Sequence, residues 1–113
     1  MERKPLSSPL SGFFDICNTS SWRRLQIIYT GQFKRSLKKC VKRGLEIKVF
    51  TDALDILQEK GCLPLEYKAH RLSGKYSGCW ECHLEPDWLL IWRQNDYALE
   101  LILVDTGTHS DLF

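Results

Sequence analysis

Residues 76–104 read YSGCWECHLEPDWLLIWRQNDYALELILV. They contain three runs rich in aromatic and branched apolar residues: Tyr76 to Leu84, Trp88 to Gln94, and Tyr97 to Val104. Pro86 cannot donate to a strand ladder and bends the chain between the first two. Asn95-Asp96 supplies turn chemistry between the second and third. The pattern predicts three consecutive strands with short connections, which pair antiparallel.

Upstream, Leu25-Gln-Ile-Ile-Tyr29 is β-branched and aromatic, ends at Thr30-Gly31, and predicts one more strand. Two helical patterns separate it from the other three. Phe33, Leu37, Cys40, Val41 and Leu45 fall at helical spacing before and after Gly44, a natural stop. Val49, Phe50, Ala53, Leu54 and Leu57 form a second apolar stripe that ends at Lys60-Gly61, with Asp52, Asp55 and Glu59 on the other face. A short link between two helices predicts an antiparallel helix hairpin. The order β-α-α-β-β-β gives an α+β fold: a helix hairpin packed on a mostly antiparallel, four-stranded sheet.

The chain of 113 residues suits one small domain. Residues 1–24 carry Pro5, Pro9, Gly12 and five serines without helical or strand periodicity, which predicts a poorly ordered extension ahead of a domain spanning 25–113. No apolar run approaches the ~18–20 residues needed to span a bilayer. With no export signal in view, a cytoplasmic protein with no membrane partner is expected, its five cysteines reduced. Net charge is only +2, yet Lys34, Arg35, Lys38, Lys39, Lys42, Arg43 and Lys48 cluster around the single acid Glu46. This predicts one basic face suited to a polyanion or an acidic partner.

All three histidines lie in the C-terminal half. His70 precedes the strands, His83 ends one and His109 follows the last, while Asp87 opens the next strand with Trp88. Strand ends distant in sequence return to one edge of an antiparallel meander, so His83, Asp87 and His109 are candidates for a shared cleft. Such a set suits RNA. The 2′-hydroxyl is its own nucleophile, so a protein need supply only a base, an acid and positive charge, with no metal and no cofactor. Histidine titrates near neutrality and serves either proton role. Spacing alone leaves the ordinary alternative of polar surface histidines open.

Four segments carry a resemblance: Tyr29-Thr-Gly-Gln-Phe-Lys34, Lys68-Ala-His-Arg-Leu72, His83-Leu-Glu-Pro-Asp-Trp-Leu-Leu-Ile91, and Thr106-Gly-Thr-His-Ser-Asp-Leu-Phe113. In order and spacing they are similar to the blocks of YafQ-type toxins in the RelE/ParE superfamily, over residues 25–113. The resemblance implies an endoribonuclease that cuts messenger RNA on the ribosome and is held inactive by an antitoxin in a hetero-oligomer. It points to His70, His83, Asp87, Trp88, His109 and Phe113. On that reading His109 is the general acid, and Asp87 or His83 takes the 2′-hydroxyl proton. His70 bonds the phosphate or holds a neighbour's tautomer. Trp88 packs beneath the site or contacts substrate, and Phe113 stacks on a base. The basic side of the helix hairpin, Lys34, Arg35, Lys38, Lys39, Lys42 and Arg43, is expected to meet antitoxin or ribosomal RNA.

One position departs from the family pattern. Arginine often precedes T-G-T-H, and here the residue is Asp105. It would repel the scissile phosphate, unless Arg71, Lys75 or Arg93 supplies the missing cation; alternatively it orients a histidine. This motivates a second reading, a catalytically weak relative that only binds antitoxin or ribosome. Cys79-Trp-Glu-Cys82-His83 is no zinc site, because residues three apart on a strand point to opposite faces and no second C-x-x-C exists.

Overall fold

The computed structural model describes residues 24–113; the expected N-terminal extension lies outside the described residues except for Arg24. Its elements are β1 (Gln26–Tyr29), α1 (Gly31–Lys42), α2 (Ile47–Lys60), β2 (His70–Arg71), β3 (Trp80–Glu85), β4 (Trp88–Asn95), β5 (Glu100–Gly107) and α3 (His109–Leu112). The sheet has five strands in the order β1-β5-β4-β3-β2. β1 runs parallel to β5, and the other three pairings are antiparallel. The α+β architecture is the expected one.

Local chemistry explains the two long helices. Thr30 caps α1, its hydroxyl accepting the Phe33 N–H at 3.1 Å. Gly61 ends α2 in the left-handed conformation at φ 76°, where a side chain would be strained. Phe33 and Cys40 on α1, with Phe50, Ala53, Leu54 and Leu57 on α2, pack onto Cys82, Leu84, Trp88, Leu90, Trp92, Leu101 and Leu103. Val41, placed in the apolar stripe by its spacing, is half-exposed.

The opposite face of the sheet has its own smaller core, in which Cys79, Leu89, Ile91 and Leu112 pack with Leu72, Tyr76 and Val104. Thus β4 is covered on both sides. This is why Trp88-Leu-Leu-Ile-Trp92 reads as an unbroken apolar run instead of alternating.

Three expectations about elements need correction. The fifth strand is β2, whose two residues are too few to show a period. The last strand starts at Glu100 because the Asn95 side chain accepts the Ala98 N–H at 3.0 Å, turning residues 96–99; Tyr97 is fully exposed there. The first strand of the quoted stretch starts at Trp80, since Gly74–Tyr76 form a 3₁₀ turn. Among the cysteines, Cys40, Cys79 and Cys82 are free and buried, whereas Cys62 is disulfide-bonded, against the expectation of reduced thiols. No helix among the described residues is long and apolar enough to cross a membrane.

Candidate functional site

Two chain segments meet at one end of the sheet. The first is the Pro86-Asp87 turn between β3 and β4, and the second is α3, which follows β5 directly. The register brings them together, because Leu89 pairs with Gly107 while Glu85 pairs with Trp88. The Asp87 carboxylate Oδ1 accepts the backbone N–H of His109 at 3.3 Å and lies 3.3 Å from its ring Nδ1. A carboxylate at Nδ1 favours the tautomer with the proton there. That leaves Nε2, which has no partner among the described residues, for chemistry.

His83 faces His109 with ring centroids 6.0 Å apart. Phe113, largely exposed, lies 6.5 Å from the His109 ring and meets Tyr76 edge-on at 5.7 Å. His83, Asp87, His109 and Phe113 therefore share one patch of surface. His70 is held on the adjoining strand pair, opposite Glu81. Alternation along β3 puts Glu81 and His83 on the same face.

Glu81 is the site residue that sequence reading missed. Its carboxylate is 4% exposed, one oxygen lies 3.1 Å from His70 Nε2, and Oε2 has no partner among the described residues. His70 Nδ1 faces the Lys68 carbonyl at 3.0 Å and must donate to it. The second ring nitrogen faces the buried Glu81 carboxylate. Such a group in an apolar strand, two residues from His83, was the available signal.

The other expected residues divide. Trp88 is 1% exposed and its indole N–H donates to Thr106 Oγ1 at 2.8 Å, so it packs beneath the site and offers substrate no surface. The Arg71 guanidinium lies 5.4 Å from the Trp80 ring centroid, and Lys75 Nζ 5.1 Å from that of Tyr76. Arg93 Nη2 is 3.9 Å from Cys79 Sγ. Lys34, Arg35, Lys38, Lys39 and Lys42 are exposed along α1, but Arg43 is drawn to Asp111.

Asp105 does neither thing expected of it. Alternation along β5 puts Asp105 on the helix side with Leu101 and Leu103, next to a register shift between the Ile91 and Trp92 pairings. The Asp105 carboxylate accepts from Ser36 Oγ on α1 at 2.5 Å and from the Thr106 N–H at 2.8 Å, and is 8% exposed. It is directed at the first helix, away from the histidines. Cys79 and Cys82 belong to the separate cores on the two sheet faces. Burial pushes the Cys82 thiol up to about 12, with Glu81 adding to the effect.

Residues 25–113 match the family model described as the bacterial toxin of the type II toxin-antitoxin system, YafQ. The chain is 35% identical over 88 residues to the mRNA interferase toxin YafQ of Escherichia coli, covering 77% of this chain and 94% of that protein. The crystal structure of YafQ from E. coli superposes with a TM-score of 0.73 at 33% identity, covering 80% of this chain and 99% of the other. A crystal structure of the E. coli DinJ-YafQ toxin-antitoxin complex gives 0.72 at 34% identity, over 80% and 98%.

Proposed function

This chain belongs to the YafQ family of type II toxin-antitoxin toxins, and from that premise we propose that it is an endoribonuclease that cleaves messenger RNA through an acid–base pair of histidines. Residues 25–113 form the toxin domain, and its partner is an antitoxin protein. Cleavage takes place on the ribosome, with the basic α1 face (Lys34, Arg35, Lys38, Lys39 and Lys42) approaching ribosomal RNA or antitoxin.

The observation that carries the mechanism is the Asp87 carboxylate at His109 Nδ1. Asp87 is occupied there, which assigns the base role to His83. In the reaction His83 takes the 2′-hydroxyl proton, and the 2′-oxygen attacks phosphorus. The bond to the 5′-oxygen breaks as His109, protonated on both ring nitrogens for this step, delivers the Nε2 proton and keeps the Nδ1 proton directed at Asp87, leaving a 2′,3′-cyclic phosphate and a free 5′-hydroxyl. Each positioned transfer is worth about 10²–10⁴-fold in rate. His70, its two ring nitrogens taken by the Lys68 carbonyl and Glu81, supports the site by position, and Arg71 and Lys75 are the cations for the phosphate. Phe113 stacks on a base next to the cut. The chemistry uses no metal.

The alternative of a purely binding relative rested on Asp105, and that carboxylate bonds Ser36 instead of facing the histidines. Incubating the purified protein, freed of metal beforehand, with messenger RNA on ribosomes in magnesium buffer tests the reading. Cleavage that leaves cyclic phosphate ends is the expected result, and intact RNA at all protein levels would refute it.

A further inference from the structure

Arg43, the residue that ends α1, sends both guanidinium nitrogens to Asp111: Nη1 to Oδ2 at 2.5 Å and Nη2 to Oδ1 at 3.1 Å. The same carboxylate accepts the Thr108 N–H at 2.9 Å, and Thr108 Oγ1 accepts the Asp111 N–H at 3.2 Å, a closed capping box. Inside that box sits His109. A Cβ at Gly107 would lie 2.8 Å from Asp111 Oδ2, so only glycine leaves the carboxylate its place.

A four-residue helix has no stability of its own. Its apolar anchor is Leu112, in the small core. Its polar anchor is a fork-to-fork ion pair from another element, 68 residues away in sequence. We infer that Arg43 and Asp111 are positioning residues of the ribonuclease, a clamp that fixes the α3 turn and thereby sets the His109 imidazole against Asp87. The inference rests on the reading of His109 as the general acid. It also removes Arg43 from the set expected to bind partners. Lysine cannot reproduce the clamp, because it lacks the planar fork.

The test is a double-mutant cycle on RNA cleavage, with kcat and KM measured separately and folding followed by thermal melting. Arg43→Gln and Asp111→Asn should each lower kcat about 10- to 100-fold, the order expected when a catalytic group shifts by an ångström. KM should stay within about twofold and melting should shift by a few degrees at most, since half-exposed ion pairs contribute little. Arg43→Lys, which keeps the charge and disturbs the fold least, should recover only part of kcat. In a His109→Ala background Arg43→Gln should cost nothing further. An undiminished kcat in Arg43→Gln, beside an impaired His109→Ala, overturns the clamp and leaves the acid intact. Additive losses overturn it too, since Arg43 would then act without His109. Full activity of His109→Ala would instead refute the acid assignment.

Discussion

Asp87 holds His109 twice, with one carboxylate oxygen 3.3 Å from the backbone nitrogen and 3.3 Å from ring Nδ1. A single turn residue thus fixes both where the imidazole is rooted and which ring nitrogen is left for the substrate. It does so from an exposed loop, so its role is in geometry more than in stability.

Asp87→Asn tests that division. The amide can still accept the backbone N–H, yet it carries no charge to support the doubly protonated imidazolium that donates from Nε2. Cleavage should fall by about 10²-fold or more, with melting nearly unchanged. A steady-state rate assay beside a melting curve checks both halves, and wild-type kcat in a folded Asp87→Asn protein would exclude the orienting role.

Trp88 gives the opposite signature. Trp88→Phe removes the indole donor to Thr106 and part of the ring from the main core. The expected cost is about 1–3 kcal/mol, from an unmet buried acceptor and the space left behind. In a domain of this size that lowers melting by roughly 4–8 °C per kcal/mol. Calorimetry showing an unchanged midpoint would contradict this burial.

Hydrogen bonds from Arg43, and then from the Thr108 backbone, hold the Asp111 carboxyl well below the usual carboxylate range. Its folded pKa lies below its unfolded one. The stabilisation is therefore present above the ordinary value of about 4 and is lost as pH falls below it. The stability gap between the wild type and Asp111→Asn should be at most about 1 kcal/mol near neutrality. It should narrow in acid. Denaturant melts at pH 7 and pH 3 read it, and a gap that widens in acid would reverse the assigned sign.

Cys82 is shifted the other way. Because burial raises its thiol to about 12, the folded protein should resist alkylation at pH 8, where a free cysteine has begun to ionise. Mass spectrometry after iodoacetamide treatment should find Cys82 modified only in denaturant. Rapid labelling of the native protein would show that the thiol is more accessible than its packing implies.

Much of this was legible in the chain. The aliphatic runs of β4 and β5 and the stripes of α1 and α2 are periodic because each buries a face. The four motif segments placed His83, Asp87, His109 and Phe113 together before any coordinates. What escaped was what periodicity does not encode. β2 is two residues long, and α3 is stabilised by a capping box and a distant arginine instead of by a stripe. Glu81 has no periodic signal of its own, and its partner His70 lies on that short strand. Asp105 was read from its place beside T-G-T-H, whereas alternation along β5 puts it with Leu101 and Leu103 on the helix side, where it meets Ser36.

The most direct test of the account replaces the leaving 5′-oxygen of the substrate with sulfur, which departs without needing a proton. On ordinary RNA, His109→Ala should cut about 10²-fold or more slowly than wild type. On the sulfur-substituted strand the two proteins should cleave at nearly equal rates. A His109→Ala protein equally impaired on both substrates would show that His109 is not the group that protonates the leaving oxygen.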